Sequence, residues 1–526
     1  MSEQTTAPVQ TRRKLSLIRV FILALVIMGF SYGTTLSFEK WQEAEVIASS
    51  DPWFAAYVDV TSVPVYSFEQ RGAVDNSDAV LSFIVSSNED PCTPTWGGYY
   101  TMIEAAETLD LDRRIARFQL QGGNIAVSFG GLLNSELAVL CTDDDALAGA
   151  YKSVIERYNI NTIDLDLEKE GLTNLEAAER RARVITKLQN EYREEGRELA
   201  VWLTLPVAPQ GLTQDGTNAI AKVLESGLDL AGVNVMTMDY GGSKDDAESM
   251  FEASKKALIE THRQLTVLYQ LAEISLDSAT IWRKIGATPM IGQNDVPAEV
   301  FSLNDAIAFN AFARAQGVGR MSMWSANRDI PCGANYVDIK VVSDLCSGVT
   351  SPAFGFANTL GMGFAGDLKQ NAKMVTIEND AVNQHILDDP ETSPYKIWKD
   401  TGVYLKGTKV VWHGSVYEAK WWTKNDLPDN PVLQAWETPW QLIGPVLPDD
   451  KPMVQLEMPA YIFPQWYGWQ AYDAGNRVMF DGVPFRAKWW NSGESPAASA
   501  ENPESSPWIP LSQPQVEEIL KTQGLL

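Results

Sequence analysis

Eight short apolar runs recur along the first two thirds of the chain, and amphipathic stretches separate most of them. Apolar runs of this length indicate buried strands, and the stretches with a period near 3.6 residues indicate helices. The predicted strands are Phe54–Val60, Val80–Val85, Ile125–Ser128, Thr162–Glu168, Ala200–Pro206, Val233–Met238, Pro289–Gln293 and Met321–Trp324, and the helical stretches include Asp144–Arg157, Asn174–Glu195, Ala247–Leu271 and Asn304–Ala315. Eight strands alternating with helices over roughly three hundred residues predict an α/β fold, a (β/α)8 barrel at residues 51–349.

One predicted strand carries three carboxylates at strict alternation. Side chains on a strand alternate between faces, so Asp164, Asp166 and Glu168 share one face and the aliphatic residues between them share the other. Like charges on a buried strand are costly, because at least one group must hold a proton or find a cation. A raised carboxyl pKa is what a general acid needs. The alternative is an edge strand with a solvated acidic face, which fits poorly with its apolar flanks.

Catalytic residues of such barrels cluster at the carboxyl ends of the strands, and Glu168 closes the fourth predicted strand. Other strand ends supply glycines that permit close backbone approach, a phenol beside a further acid, and aromatic rings. The candidates for substrate contact are Tyr57, Ser128, Gly130, Gly131, Met238, Asp239, Tyr240, Gln293 and Trp324. Core packing is the alternative for Met238 and Trp324.

Charge and histidine content narrow the function classes. The formal net charge is -26 and the pI is about 4.6, which argues against nucleic acid or an anionic membrane surface as partner and suits a neutral substrate. The three histidines, His262, His385 and His413, have no second ligand at metal-site spacing. The sequence has no phosphate-binding glycine loop of a nucleotide enzyme. We therefore expect neither a metal nor a cofactor.

The first 36 residues resemble a targeting signal. Arg12, Arg13 and Lys14 precede an apolar segment from Val20 to Phe30, and small residues follow it. This pattern predicts an extracellular protein. The segment is either cleaved as a signal peptide or retained as an anchor with its cationic end inside the cell.

The four cysteines agree with an oxidising compartment. Cys92 and Cys141 follow successive predicted strands, and Cys332 and Cys346 lie close together after the last one. Of the three possible pairings, we predict Cys92 with Cys141 and Cys332 with Cys346, and free buried thiols are the alternative.

The last third of the chain contains two copies of one small unit, which we place at residues 393–446 and 461–513. Ala-Lys-Trp-Trp at 419–422 and Pro-Trp at 439–440 recur at 487–490 and 507–508, with one constant offset. Neighbouring strand residues face opposite sides, so we expect one tryptophan of each adjacent pair to be buried and the other exposed. Exposed indoles suit the apolar faces of sugar rings. The candidates are Trp421, Trp422, Trp440, Trp489, Trp490 and Trp508. Residues 350–392 have a glycine and phenylalanine content that does not fit a simple flexible linker, and their role stays open; a linker with a docking patch is one interpretation.

The acidic strand, Ser128 to Gly131, Met238 to Tyr240 and Trp324 together resemble glycoside hydrolase family 18, and Phe54–Val60 resembles the start of its bacterial chitinases. The resemblance covers residues 51–349. It departs at Asn161-Thr162, where many members have Asp-Gly, and this change affects local packing more than activity. The C-terminal copies resemble chitin-binding modules of carbohydrate-binding families 5 and 12.

This resemblance implies a chitinase that cuts β-1,4-linked N-acetylglucosamine polymers by a substrate-assisted retaining mechanism. Glu168 is then the proton donor to the glycosidic oxygen, Asp166 stabilises the acetamido N–H, and Asp164 shares a proton with Asp166. Tyr240 is expected to bond the acetamido oxygen, and Trp324 to stack beneath the sugar. We expect a monomer that binds chitin and N-acetylglucosamine oligomers. An endo-β-N-acetylglucosaminidase acting on N-glycans and a non-catalytic chitin-binding protein are the alternatives.

Overall fold

The computed structural model describes residues 51–526 apart from 71–77, 275, 335, 337–340, 373–387, 448–449, 453–455 and 500–504. The predicted targeting segment, His385 and part of the predicted linker lie outside the described residues. Within the described ranges, no helix is both long and apolar enough to cross a membrane.

Before the C-terminal third, the part of the chain that the structure describes forms thirteen strands: β1 (Trp53–Asp59), β2 (Asp78–Ser86), β3 (Pro94–Trp96), β4 (Tyr100–Thr101), β5 (Ile125–Gly130), β6 (Thr162–Asp166), β7 (Ala200–Ala208), β8 (Gly211–Leu212), β9 (Leu230–Met236), β10 (Ile285–Thr288), β11 (Gly292–Gln293), β12 (Val300–Phe301) and β13 (Arg320–Met321). The helices of the same region are α1 (Met102–Thr108), α2 (Leu111–Leu120), α3 (Leu137–Leu140), α4 (Asp144–Tyr158), α5 (Lys169–Thr173), α6 (Leu175–Glu194), α7 (Gln214–Glu225), α8 (Met250–Leu271), α9 (Ser278–Arg283), α10 (Leu303–Gln316), α11 (Gly355–Leu360) and α12 (Leu368–Asn371).

Eight of these strands form a closed parallel barrel. Strands β1, β2, β5, β6, β7, β9, β10 and β13 pair in that order, and β13 pairs with β1 to close the ring. The predicted (β/α)8 barrel is confirmed. Because all eight strands are parallel, their carboxyl ends meet at one mouth.

Two strand boundaries differ from the prediction. The seventh barrel strand is Ile285–Thr288 rather than Pro289–Gln293. Pro289 has no N–H to donate to a parallel ladder. Gly286 lies inside the observed strand, where an added Cβ would come within 2.9 Å of the Asn234 side chain. The fourth strand ends at Asp166, and Glu168 precedes helix α5 with an extended backbone.

The described residues of the C-terminal third form ten further strands and one α-helix. They are β14 (Val403–Tyr404), β15 (Lys409–Trp412), β16 (Ser415–Ala419), β17 (Thr423–Lys424), β18 (Trp440–Pro445), β19 (Ala471–Tyr472), β20 (Arg477–Phe480), β21 (Val483–Ala487), β22 (Asn491–Ser492), β23 (Trp508–Pro510) and α13 (Gln513–Thr522). In each copy the first strand pairs with the fourth, and the third lies between the second and the fifth. The sequence repeat is therefore also a structural repeat.

The expectation of one buried tryptophan in each adjacent pair is wrong. Trp421, Trp489 and Trp490 are exposed and Trp422 is half-buried, because each pair follows the end of a strand, where alternation no longer applies. Trp440 and Trp508, expected to contact sugar, are instead buried core residues that pack edge-on against Tyr404 and Tyr472.

Both predicted disulfides are present. The bond between Cys92 and Cys141 spans 49 residues, and the bond between Cys332 and Cys346 spans 14. In the chain-entropy account, a disulfide stabilises the protein by restricting the unfolded chain, and the longer loop contributes more.

Replacing Cys92 and Cys141 by serine is expected to lower the free energy of unfolding by about 4 kcal/mol, against about 3 kcal/mol for Cys332 and Cys346. Urea denaturation of the two double variants checks both the size and the order. Equal stability of the wild type and the Cys92/Cys141 variant would contradict the prediction.

Candidate active site

The acidic ladder of β6 begins inside the barrel, where Asp164 is completely buried. Its carboxylate accepts hydrogen bonds from Tyr57 Oη at 2.8 Å, Ser128 Oγ at 2.8 Å, Thr204 Oγ1 at 2.7 Å and Arg320 at 2.6 Å. Four donors from four different strands fill both oxygens. Asp164 is therefore held as a paired carboxylate, and the structure gives no hydrogen bond between it and Asp166 in support of the expected shared proton.

Arg320 supplies the positive charge inside the barrel. Its guanidinium group is fully buried, donates to Asp164 and to Tyr57 Oη, and lies over the rings of Trp53 and Trp202 at 5.1 and 5.3 Å. An unpaired carboxylate at this depth would be costly, so the Arg320 cation offsets one charge of the ladder.

Asp166 lies one step closer to the mouth, and Arg320 forms its ion pair with Asp164 instead. It is 4% exposed, and its Oδ1 has no hydrogen-bond partner among the described residues. Burial raises the pKa of Asp166 well above its usual range, the carboxylates of Glu168 and Asp164 raise it further, and Arg320 opposes them. A buried acceptor without a partner is ready to bind a donor from a ligand.

Glu168 is the outermost acid and is half-buried. The pKa of Glu168 is raised to about 7, chiefly by burial; Lys169 lowers it, and the carboxylates of Asp239 and Asp295 raise it. A carboxyl group with a pKa near neutrality is half protonated there and can both give and take a proton.

An aromatic platform lies at the mouth of the barrel. Trp324 is stacked on Phe83, with ring centroids 5.5 Å apart and an angle of 25° between the ring planes. The ring centroid of Tyr57 is 6.1 Å from that of Trp324 and 6.4 Å from that of Phe83. Phe83 and Trp324 are only partly buried, whereas Tyr57 is 2% exposed. The two outer rings can therefore support an apolar ligand face, and Tyr57 cannot.

Several residues expected to contact substrate instead make hydrogen bonds or close contacts within the barrel. Tyr57 and Ser128 hold Asp164. Gly130 has a φ of 107°, and an added Cβ would lie 2.0 Å from the carbonyl oxygen of Asp166. The glycine therefore lets β5 approach β6, and this close approach, rather than one to a ligand, explains its lack of a side chain. Gly131 donates its N–H to the same carbonyl at 3.0 Å and faces the Phe83 ring.

The Tyr240 hydroxyl does not reach the ladder. It is buried and donates to Ser254 Oγ on α8 at 3.0 Å. The positive φ of Asp239, 50°, redirects the chain before Tyr240. This geometry does not support the expected bond between the phenol and an acetamido oxygen. Met238 and Asp239 remain half-buried at the mouth.

Gln293 is 4% exposed, and its amide donates to the carbonyl groups of residues 294, 297 and 299. Those bonds shape the β11–β12 hairpin, so the side chain is not free for a substrate contact.

Sequence reasoning missed Arg320, Phe83 and Asp295. Arg320 immediately precedes the predicted eighth strand, and a lone basic residue there was the available signal. Phe83 lay within the apolar run taken as the second strand. Asp295 lies in the loop of the β11–β12 hairpin, which no periodic pattern predicts.

The C-terminal units display further aromatic rings. Besides Trp421, Trp489 and Trp490, the second copy exposes Tyr467 and Trp469, which are stacked 5.4 Å apart and are 47% and 80% exposed. The corresponding positions of the first copy are Lys399 and Thr401. The second copy thus presents the larger aromatic surface.

The chain is similar to two chitinase relatives. A probable bifunctional chitinase/lysozyme of Escherichia coli (strain K12) is 33% identical over 289 residues, which are 54% of this chain and 31% of that protein. Endochitinase 11 of Metarhizium anisopliae is 32% identical over 289 residues, 53% of this chain and 52% of that protein. The chain therefore matches about a third and about half of the length of these two relatives.

Among solved structures, the catalytic domain of a hyperthermophilic chitinase from Pyrococcus furiosus has a TM-score of 0.50 and 26% sequence identity, covering 60% of this chain and 97% of that domain. No protein-family model matches the chain. This chain is thus similar in sequence to two chitinases and shares its barrel fold with the catalytic domain of a third.

Proposed function

We propose that this chain is a chitinase that hydrolyses β-1,4-linked N-acetylglucosamine polymers with retention of configuration. The observation that carries the proposal is Glu168, whose pKa is raised to about 7, two positions along the chain from the buried and partly unpartnered Asp166. The chitinase relatives and the solved chitinase domain supply the substrate class.

In the proposed first step, Glu168 gives its proton to the glycosidic oxygen as the bond from that oxygen to C1 breaks. The substrate's acetamido oxygen forms a new bond to C1, which yields an oxazolinium ion. Asp166 accepts a hydrogen bond from the acetamido N–H and stabilises the positive charge. Asp164 forms an ion pair with Arg320 inside the barrel and supports the strand that carries Asp166.

In the second step, water adds to C1 and returns a proton to Glu168, and the acetamido oxygen leaves. The Phe83–Trp324 platform supports the sugar ring from below. Two displacements at C1 retain its configuration. No role in the proposal depends on the Tyr240 hydroxyl.

The wild-type protein is expected to release the β-anomer first from soluble N-acetylglucosamine oligomers. Proton NMR of the fresh product, recorded before mutarotation, measures the anomer. An initial α-anomer would rule out the retaining mechanism, and absence of hydrolysis would favour the non-catalytic alternative. Faster cleavage of an N-glycan core than of chitin oligomers would favour the N-acetylglucosaminidase alternative.

We further propose that the two C-terminal units bind insoluble chitin and that the protein is exported and monomeric. The exposed aromatic rings support the binding role, since flat indoles stack on pyranose faces. Two linked units also gain from effective concentration once the first has bound.

Replacing Trp469, Trp489 and Trp490 together by alanine is expected to weaken adsorption to crystalline chitin by at least about 10-fold. Stacking of a sugar ring on one aromatic side chain is taken to contribute roughly 1 kcal/mol. Hydrolysis of short soluble oligomers should stay within about two-fold of the wild type. The full-length chain is needed, because Arg263 of α8 donates to the carbonyls of Val432 and Leu433 in the first unit.

Leu271→Ala is the matched control for that experiment, because Leu271 is an exposed apolar residue of the barrel. Centrifugation assays with powdered chitin measure the bound fraction. Unchanged adsorption of the triple variant would contradict the binding role of the second unit.

A further inference from the structure

A short hairpin lies against the turn that carries Asp239. The turn follows β9 and has positive φ values at Asp239, 50°, and Gly241, 54°. A left-handed conformation is unfavourable for a residue with a side chain, so the aspartate turn needs support from its surroundings. The hairpin formed by β11, residues 294–299 and β12 supplies it.

Glu299 makes the main contact. Its carboxylate accepts the N–H of Tyr240 at 3.0 Å with one oxygen and the N–H of Gly241 at 2.7 Å with the other. Glu299 is 2% exposed. A buried carboxylate that takes two consecutive backbone donors holds a turn more firmly than a neutral acceptor would.

The same hairpin holds Asp239 from both sides. The N–H of Val296 donates to Asp239 Oδ1 at 2.9 Å, and the N–H of Asp239 donates to Asn294 Oδ1 at 3.4 Å. The direction of the Asp239 side chain therefore depends on the hairpin.

The hairpin is itself anchored to the disulfide-closed loop after β13. The N–H of Gln293 donates to the carbonyl of Ser347 at 2.8 Å, and Arg328 donates to the carbonyl of Gln293 at 2.5 Å. Ser347 directly follows Cys346 of the second disulfide. The hairpin that supports the Asp239 turn is thus itself hydrogen-bonded to residues that follow β13.

We propose that Glu299 is a positioning residue: by holding the backbone of Tyr240 and Gly241, it fixes the Asp239 carboxylate beside the proton donor Glu168. The inference rests on the proposed function, in which Glu168 is the general acid. Glu299 acts only through Asp239 and does not touch the substrate.

The charges around Glu168 agree with this arrangement. Besides burial, the carboxylates of Asp239 and Asp295 raise the pKa of Glu168 and Lys169 lowers it. Glu168 in turn raises the pKa of Asp166, whose main cause is burial. Glu299 in turn raises the pKa of Asp239, after burial and Asp295. A mobile Asp239 would spend less time near Glu168 and would weaken one of these effects.

The test compares wild type, Glu299→Gln, Asp239→Asn and the double variant as full-length proteins. The titration of Glu168 is followed by NMR with carboxyl-labelled glutamate, and the signal is assigned by its loss in Glu168→Gln. Each single variant is expected to move the Glu168 midpoint down by roughly one pH unit, the effect of one nearby like charge. The double variant should move it no further than Asp239→Asn does, because Glu299 acts through Asp239.

Asp329→Asn is the matched control, since Asp329 is also a buried carboxylate that accepts two backbone N–H groups, those of Phe356 and Ala357. It should lower the melting temperature without moving the Glu168 midpoint. Glu299→Asp, which keeps the charge, covers the case in which the glutamine variant does not fold, and it should give a smaller shift of the same sign.

An unmoved Glu168 midpoint in both Glu299 variants would overturn the positioning role, as would additive shifts in the double variant. The NMR readout does not require turnover. Failure of the wild type to hydrolyse chitin oligomers would therefore refute the proposed function separately, while the titration would still decide the role of Glu299.

Discussion

Glu168→Gln is expected to lower kcat on soluble N-acetylglucosamine oligomers by about 10² to 10⁴, the usual contribution of general acid catalysis. The amide keeps the shape of the side chain but has no proton to give. Binding of oligomers, measured by calorimetry, should be nearly unchanged. Glu170→Gln, an exposed neighbour two positions along the chain, is the control and should keep full activity.

The same residue predicts the pH dependence. Because the pKa of Glu168 is raised to about 7, the protonated donor is present below that pH and lost above it. The kcat/KM of the wild type should therefore fall as the pH rises through about 7. A Glu168→Gln protein that retained most of its activity would contradict the assigned role.

The contribution of Glu168 to the free energy of unfolding also decreases as the pH rises. A carboxyl group with a raised pKa in the folded state contributes stability that is complete below its unfolded pKa and is lost as the pH rises through its folded pKa. The glutamine variant should therefore be more stable than the wild type at pH 8 and similar to it near pH 4. Thermal melts at the two pH values measure the difference.

Arg320→Met is expected to lower the free energy of unfolding by about 3 to 5 kcal/mol, because it leaves the buried Asp164 carboxylate without its cation. The side-chain volume is nearly kept, so the loss reports the charge and its hydrogen bonds rather than a cavity. Urea denaturation at neutral pH measures the change.

Arg183→Met is the matched control for Arg320. Its ion pair with Asp144 has a similar separation, 2.8 Å, but both side chains are well exposed. Such surface pairs contribute about 1 kcal/mol or less. Equal effects of the two substitutions would show that burial does not govern the Arg320 pair.

The architecture of the barrel and its acidic strand could be read from local patterns. Alternation along residues 162–168 is a property of any extended chain, so Asp164, Asp166 and Glu168 share one side although the strand itself ends at Asp166. Helix boundaries near Asp144 and Leu271 agreed with the periodic pattern. The two disulfides also followed from cysteine spacing and strand order.

The role of each acid could not be read in the same way. Asp164 differs from Asp166 because Arg320, 156 positions away, reaches only the inner carboxylate. Tyr240 sits next to Asp239 in the sequence, but one positive φ sends its hydroxyl to Ser254. The tryptophan pairs of the C-terminal copies lie between strands, where strand alternation gives no guidance.

Periodic burial and residue spacing act over a few neighbouring residues, and they were sufficient to specify the barrel, the repeat and the face shared by the three acids. The charge state and contacts of an acid depend instead on groups brought to it by chain closure. Arg320 reaches Asp164 because β13 pairs with β1 and completes the barrel, and Glu299 reaches the Asp239 turn through a separate hairpin. Electrostatic and hydrogen-bond partners of this kind are set by distance in space, and the linear order of residues does not contain that distance.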